Sequence, residues 1–138
     1  MGDTYTMSGY TGIELIDPTE RLKQHELTKE LWQKLRELGI KAGNKGIIDG
    51  IFYSKSHEQA KVLKASFSDW DVSIQEQKEN LSQIIQITTP ISRLSIEALV
   101  ELTDVFLIAA AETDTKFDGL ELEVNKIKRL NTPWWKFW

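Results

Sequence analysis

Between residues 47 and 124 the apolar positions change period along the chain, from alternation to helical spacing and back. The run IIDGIFY (47–53) alternates, with Ile48, Gly50 and Phe52 on one side and Ile47, Asp49, Ile51 and Tyr53 on the other. A helix over about 56–68 follows, opened by Ser56 with Gln59 at capping-box spacing, with Ala60, Leu63 and Phe67 as its core positions. DVSIQEQ (71–77) and LSQIIQITT (81–89) alternate again, separated by a turn at Lys78-Glu79-Asn80. Val72, Ile74, Leu81, Ile85 and Ile87 face the expected core. Pro90 stops that run, and a long helix over 92–112 starts near Ser92 or Ser95. Its Leu94, Ala98, Leu102, Val105, Phe106, Ala109 and Ala110 recur at helical spacing. KFDGLELEV (116–124) closes the set as a strand, with Leu120, Leu122 and Val124 on one side and Gly119 marking a bulge or close approach.

The order strand–helix–strand–strand–helix–strand predicts an α+β fold, a ferredoxin-like βαββαβ sandwich. It would have a four-stranded antiparallel sheet with two helices on one face. Leu102, Val105, Phe106 and Ala109 are expected to pack on Ile51, Ile85 and Leu122 or their neighbours. An extra N-terminal helix precedes this unit. Asp17-Pro18-Thr19-Glu20 starts it, Gly39 ends it, and Leu27, Leu31, Leu35 and Leu38 form its apolar stripe. The expected organisation is a polar arm over residues 1–16 and one domain over 17–125, including that helix at 17–39. A basic, Trp-rich tail follows over 126–138, ending Pro133-Trp134-Trp135-Lys136-Phe137-Trp138. Ile13 to Ile16 form a short apolar patch that can lie against the next helix.

Charge is distributed unevenly. Residues 46–125 hold six Lys/Arg against fourteen Asp/Glu, a net −8, whereas 126–138 carry +4. An acidic domain repels phosphate backbones, so direct nucleic-acid binding is not expected. A basic protein partner suits it. The chain lacks cysteine, which removes disulfides, thiolate nucleophiles and Cys-based metal sites. The N-terminus has no basic cluster followed by an apolar core. No apolar run reaches the roughly 18–20 residues of a membrane span. A cytoplasmic protein without stable membrane insertion is the expectation.

Candidate chemistry is sparse. His25 and His57 each precede a Glu, but neither has the second His of a zinc-protease helix, and both are expected to be exposed on helices. The carboxylate pairs Asp69/Asp71, Glu76/Glu79, Asp114/Asp118 and Glu121/Glu123 read as solvated faces or a docking surface. Glu121 and Glu123, two apart, are placed on the outward side of the last strand. The strand aromatics Phe52, Tyr53 and Phe117 would be needed for base stacking, in a domain of the wrong charge. We therefore expect no enzyme, no metal and no cofactor. Trp134, Trp135 and Trp138 can fold back on the domain, anchor a partner or a second copy in a homo-oligomer, or, with the nearby Lys/Arg, make a weak contact with a membrane interface.

Several short motifs, in order, resemble the ribonuclease E inhibitor family, whose members are regulators of ribonuclease activity B. A helix ends in Leu38-Gly39 and leads to Ile48-Asp49-Gly50-Ile51-Phe52-Tyr53. The helix start Ser56-His57-Glu58-Gln59-Ala60 is similar to the family's acid-rich start, Thr89-Pro90 precedes the long helix, and Lys116-Phe117-Asp118-Gly119 is similar to its Tyr-Asp-Gly-Trp. Gly50 and Leu120 stand where the family usually has His and Trp. The resemblance covers about residues 31–124. It implies a ferredoxin-like domain that inhibits or modulates a ribonuclease of the endoribonuclease E type by protein contact. An immunity protein that neutralises a basic toxin, such as a nuclease, fits the charge equally well. Asp49 and Asp118, which match the motifs, join Glu121, Glu123 and the three tail tryptophans as expected partner-binding residues.

Overall fold

The computed structural model describes residues 12–77 and 82–133. Most of the expected N-terminal arm, the Lys78-Glu79-Asn80 turn, Leu81, and Trp134, Trp135 and Trp138 lie outside the described residues. The elements are helix α1 (Pro18–Glu37), strands β1 (Lys45–Gly46) and β2 (Asp49–Ser54), helix α2 (His57–Ser66) and strands β3 (Asp71–Glu76), β4 (Gln83–Thr88) and β5 (Ser92–Arg93). Helix α3 (Ile96–Thr113), strand β6 (Lys116–Glu121) and helix α4 (Val124–Leu130) complete the chain. Four strands form an antiparallel sheet in the order β3-β4-β2-β6, and β1 pairs with β5 in a separate two-stranded sheet. The fold is α+β.

Local chemistry explains where the helices start. Asp17 accepts the amide of Thr19, with Pro18 at the first helical position of α1. Ser56 accepts the amide of Gln59 at the start of α2, and Ser95 that of Ala98 at the start of α3. In the sheet, burial alternates. Gly50, Phe52 and Ser54 of β2 and Gln83, Ile85 and Ile87 of β4 point inward beneath α2 and α3. Phe106 of α3 sits at the centre of this layer, against Phe52 and Phe117. The core partner in β2 is therefore Phe52. Ile51, expected to face the long helix, lies half-buried on the opposite side, because the strand's parity assigns the inner face to Gly50 and Phe52.

Helix α3 is buried without interruption over residues 102–110. A single apolar stripe would not require this; burial all round means cover on a second side. That cover is α1. Its buried positions are Gln24, Thr28, Trp32 and Leu35, with Leu31 half-buried against the core, whereas Leu27 and Leu38 are exposed, so only Leu31 and Leu35 of the expected leucine stripe pack inward. The interface is partly polar. The Thr28 and Thr103 hydroxyls meet at 2.8 Å, and Arg21 and His25 both reach Asp104. These pairings set the packing face so that Leu27 and Leu38 stay outside it while Leu35 remains buried. The turn at Ile13–Leu15 also packs on α3, and a Cβ added to Gly12 would lie 2.5 Å from Ile108.

The C-terminal segment departs from the expected strand and tail. The strand ends at Glu121, and residues 124–130 form α4, whose Ile127 is buried. Asn131, just beyond α4, accepts from the amide of Lys45 and donates to its carbonyl, both at 2.8 Å. A boundary drawn at 125/126 thus falls inside a helix tied to β1.

Gly50 has a specific packing role. A Cβ there would stand 2.4 Å from Cε2 of Phe106 and 2.7 Å from its Cδ2. Gly50→Ala is expected to cost about 1–3 kcal/mol through overpacking against the ring. A urea unfolding midpoint equal to wild type would contradict that role.

Candidate functional site

Helices cover one face of the four-stranded sheet. On the other face side chains stand in rows set by the register. Asp71 pairs with Thr88, Thr88 with Asp49, and Asp49 with Glu121, which brings three carboxylates and one hydroxyl into a single line across the sheet. The next row holds Ser73, Gln86, Ile51 and Gly119, and the last holds Gln75, Ile84, Tyr53 and Lys116. Ile51, Tyr53 and Ile84 are half-buried there. The face thus has an acidic end, a middle that is polar apart from Ile51, and a mixed far end.

The acidic row follows from parity and register together. Asp49 sits at the first position of β2, on the side opposite Gly50. Its Oδ1 accepts from the Thr88 hydroxyl at 2.7 Å, which fixes the carboxylate over the sheet. Glu121 lies directly across from it, and like charges so placed oppose folding by a few tenths to about 1 kcal/mol. Asp118 is exposed beside the bulge at Gly119, whose φ is 131°. That bulge shifts the pairing between Ile51 and Phe52, so Asp118 has no partner in the ladder and projects from the strand's irregularity. Among the described residues, none of Asp49, Asp71, Asp118 and Glu121 has an ion-pair partner.

Glu123 does not share this face. It occupies the N-cap position of α4 and lies 3.8 Å from Lys126, so it and Glu121 do not alternate along one strand. The strand stops because Val124 opens a helix that buries Ile127; the spacing of those two residues was the available signal. Asp71, by contrast, joins the row, and a sequence reading that keeps strands separate gives no reason to place it beside Asp49. Of the strand aromatics, Phe52 and Phe117 are buried in the core, and Tyr53 lies on the open face.

A second charged cluster links α1 to α3. Arg21 donates from Nε and Nη2 to the two oxygens of Asp104 at 2.9 Å each, and Nε2 of His25 lies 2.8 Å from Oδ1. His25 is therefore not the free surface histidine expected from sequence; His57 is exposed at the start of α2. Burial pushes the Asp104 carboxyl up, but the bonds from Arg21 and His25 outweigh it and hold the group below its ordinary value. The guanidinium of Arg21 is in turn raised, chiefly by its bond to Asp104. Among the described residues no nucleophile is bonded to His25, and the cluster works as an interhelical clamp.

Among the described residues, no group of three or more His, Asp or Glu is placed to hold a metal ion. None of their helices is long and apolar enough to cross a membrane. Comparison with protein-family models and with curated proteins found no match.

Proposed function

We propose that the protein is a non-catalytic regulator that binds a basic protein partner across the open face of a ferredoxin-like sheet. The observation that carries this reading is the line of Asp71, Asp49 and Glu121, unpaired by any described cation. Carboxylates set opposite one another oppose folding, and a cationic partner would turn that cost into binding energy. The strand order β3-β4-β2-β6, with a helix after β2 and another after β4, supports the ferredoxin-like assignment. Base stacking is a poorer reading, since two of the three strand aromatics are inside the core.

The resemblance to the ribonuclease E inhibitor family gives the partner a class: a ribonuclease of the endoribonuclease E type, inhibited or modulated by contact. Its motif residues Asp49 and Asp118 lie on neighbouring strands of the sheet. The two departures, Gly50 and Leu120, are register partners on the inner side, so they alter packing under Phe106 and leave the outer acids in place.

Affinity capture from the native host, followed by mass spectrometry, identifies the partner. A toxin-type nuclease in that role would make the protein an immunity protein instead. With the partner purified, the Asp49→Lys/Glu121→Lys variant is expected to bind at least about 30-fold more weakly, with wild-type affinity falling as salt is added. Glu123→Lys should have a smaller effect, because that residue lies beyond the end of the strand, at the start of α4 and beside Lys126. Affinity unmoved by both salt and the double reversal would refute the acidic-face reading.

A further inference from the structure

At the far end of the sheet from the acidic row there is a cavity of about 620 Å³. That lies within the range of small-molecule sites. Its walls come from the end of β2 and the turn into α2, from the α3–β6 junction, and from Gln77 and Ser82 beyond β3 and before β4. Within residues 46–125 there are only six Lys/Arg, and two of them, Lys55 and Lys116, line this space. Neither lysine has an ion pair among the described residues. The one carboxylate in the wall, Asp114, already accepts from Nε2 of Gln59 at 3.0 Å. The lining is thus net positive inside a domain that is net negative.

The wall is also held in place before any ligand arrives. Ser54 is buried; its hydroxyl donates to the Ser56 carbonyl and accepts from the Ser56 amide, while Ser56 caps α2 through Gln59. Asp114 has φ 54°, the one positive φ at a non-glycine residue among those described, and it turns the chain from α3 straight into β6. That turn brings Asp114, Thr115 and Lys116 to the rim. Backbone held in a sparsely populated conformation at a cavity wall is common where a ligand is gripped. Tyr53 adds an aromatic surface beside the lysines.

We propose that this cavity binds a small organic oxyanion, its charged group held by Lys55 and Lys116 and its apolar body set against Tyr53. Phosphate and carboxylate ligands share that chemistry. The site is separate from the acidic row and does not depend on the docking reading.

The test is an amide-resolved NMR titration of the full chain with phenyl phosphate, benzoate and, as a neutral control, benzyl alcohol. Saturable shifts are expected at residues 54–59 and 114–116 with one or both anions, and the tighter of the two names the ligand class. The Lys55→Met/Lys116→Met variant should weaken binding at least about tenfold. Lys61→Met/Lys64→Met, on the exposed side of α2, should bind as wild type, and dispersed amide spectra will show that both variants fold. The proposal is overturned if no anion gives saturable shifts there, if benzyl alcohol shifts the same amides as strongly, or if binding survives in the Lys55/Lys116 variant.

Discussion

Phe106→Ala is expected to destabilise the protein by about 3–5 kcal/mol, the largest loss of any single truncation considered. The ring is fully buried and touches four other aromatics. It meets Phe52 edge-on at 5.3 Å and Phe117 at 5.6 Å, and Phe67 and Trp70 flank it at 5.5 and 6.1 Å. Beneath it lies Gly50, which has no side chain to move into the vacated space. The void left by alanine cannot close from the strand side, so the loss should fall in the upper part of the range for aromatic truncation. Urea denaturation followed by circular dichroism measures it. Gly50→Ala should be harmful alone and less so in combination with Phe106→Leu, because the two positions share one space. A Phe106→Ala loss below about 1 kcal/mol would mean the ring is not the hub of the core.

Asp104→Ala should cost about 2–3 kcal/mol, mainly by stranding Arg21 and His25 without their shared acceptor. The figure lies below that of a fully buried pair because the Arg21 side chain is 36% exposed. The same clamp predicts an acid response. Asp104 titrates below its ordinary value of 3.8 in the folded chain. A carboxyl lowered on folding contributes stability above its unfolded pKa and loses it as pH falls through the folded one. The stability gap between wild type and Asp104→Ala should therefore narrow as pH drops below about 3.8. A gap that stays constant or widens in that window would show that the ion pair is not its source.

The elements with local causes were readable. Asp17-Pro18, Ser56 with Gln59, and Ser95 mark helix starts through hydrogen bonds spanning three residues or fewer. Strand alternation placed Ile85 and Ile87 inside; it grouped Phe52 with Gly50 on one side of β2, but the side expected to face the long helix was that of Ile51. The candidate face was half legible in the same way. Alternation set Asp49 on the side of Ile51, which was expected to face the long helix, so only the motif match singled Asp49 out; a two-residue spacing put Glu123 on the last strand with Glu121, although that strand ends at Glu121, because alternation cannot say where a strand stops.

By itself, then, the sequence determined the α+β class, the helix caps, which residues of a strand share a side, and the acidic balance of the domain. All of these rest on neighbours within one turn or on simple charge counting. Only the tertiary structure decided which side of α1 is buried, since Thr28–Thr103 and Arg21–Asp104 join residues 75 and 83 apart. It alone set Asp71, Asp49 and Glu121 in one row, through register across three strand pairs. It alone gathered Lys55 and Lys116 around a cavity and folded residues 124–130 into a helix held at Lys45. Register and packing are sums over distant contacts, and no local window of residues contains both members of such a pair.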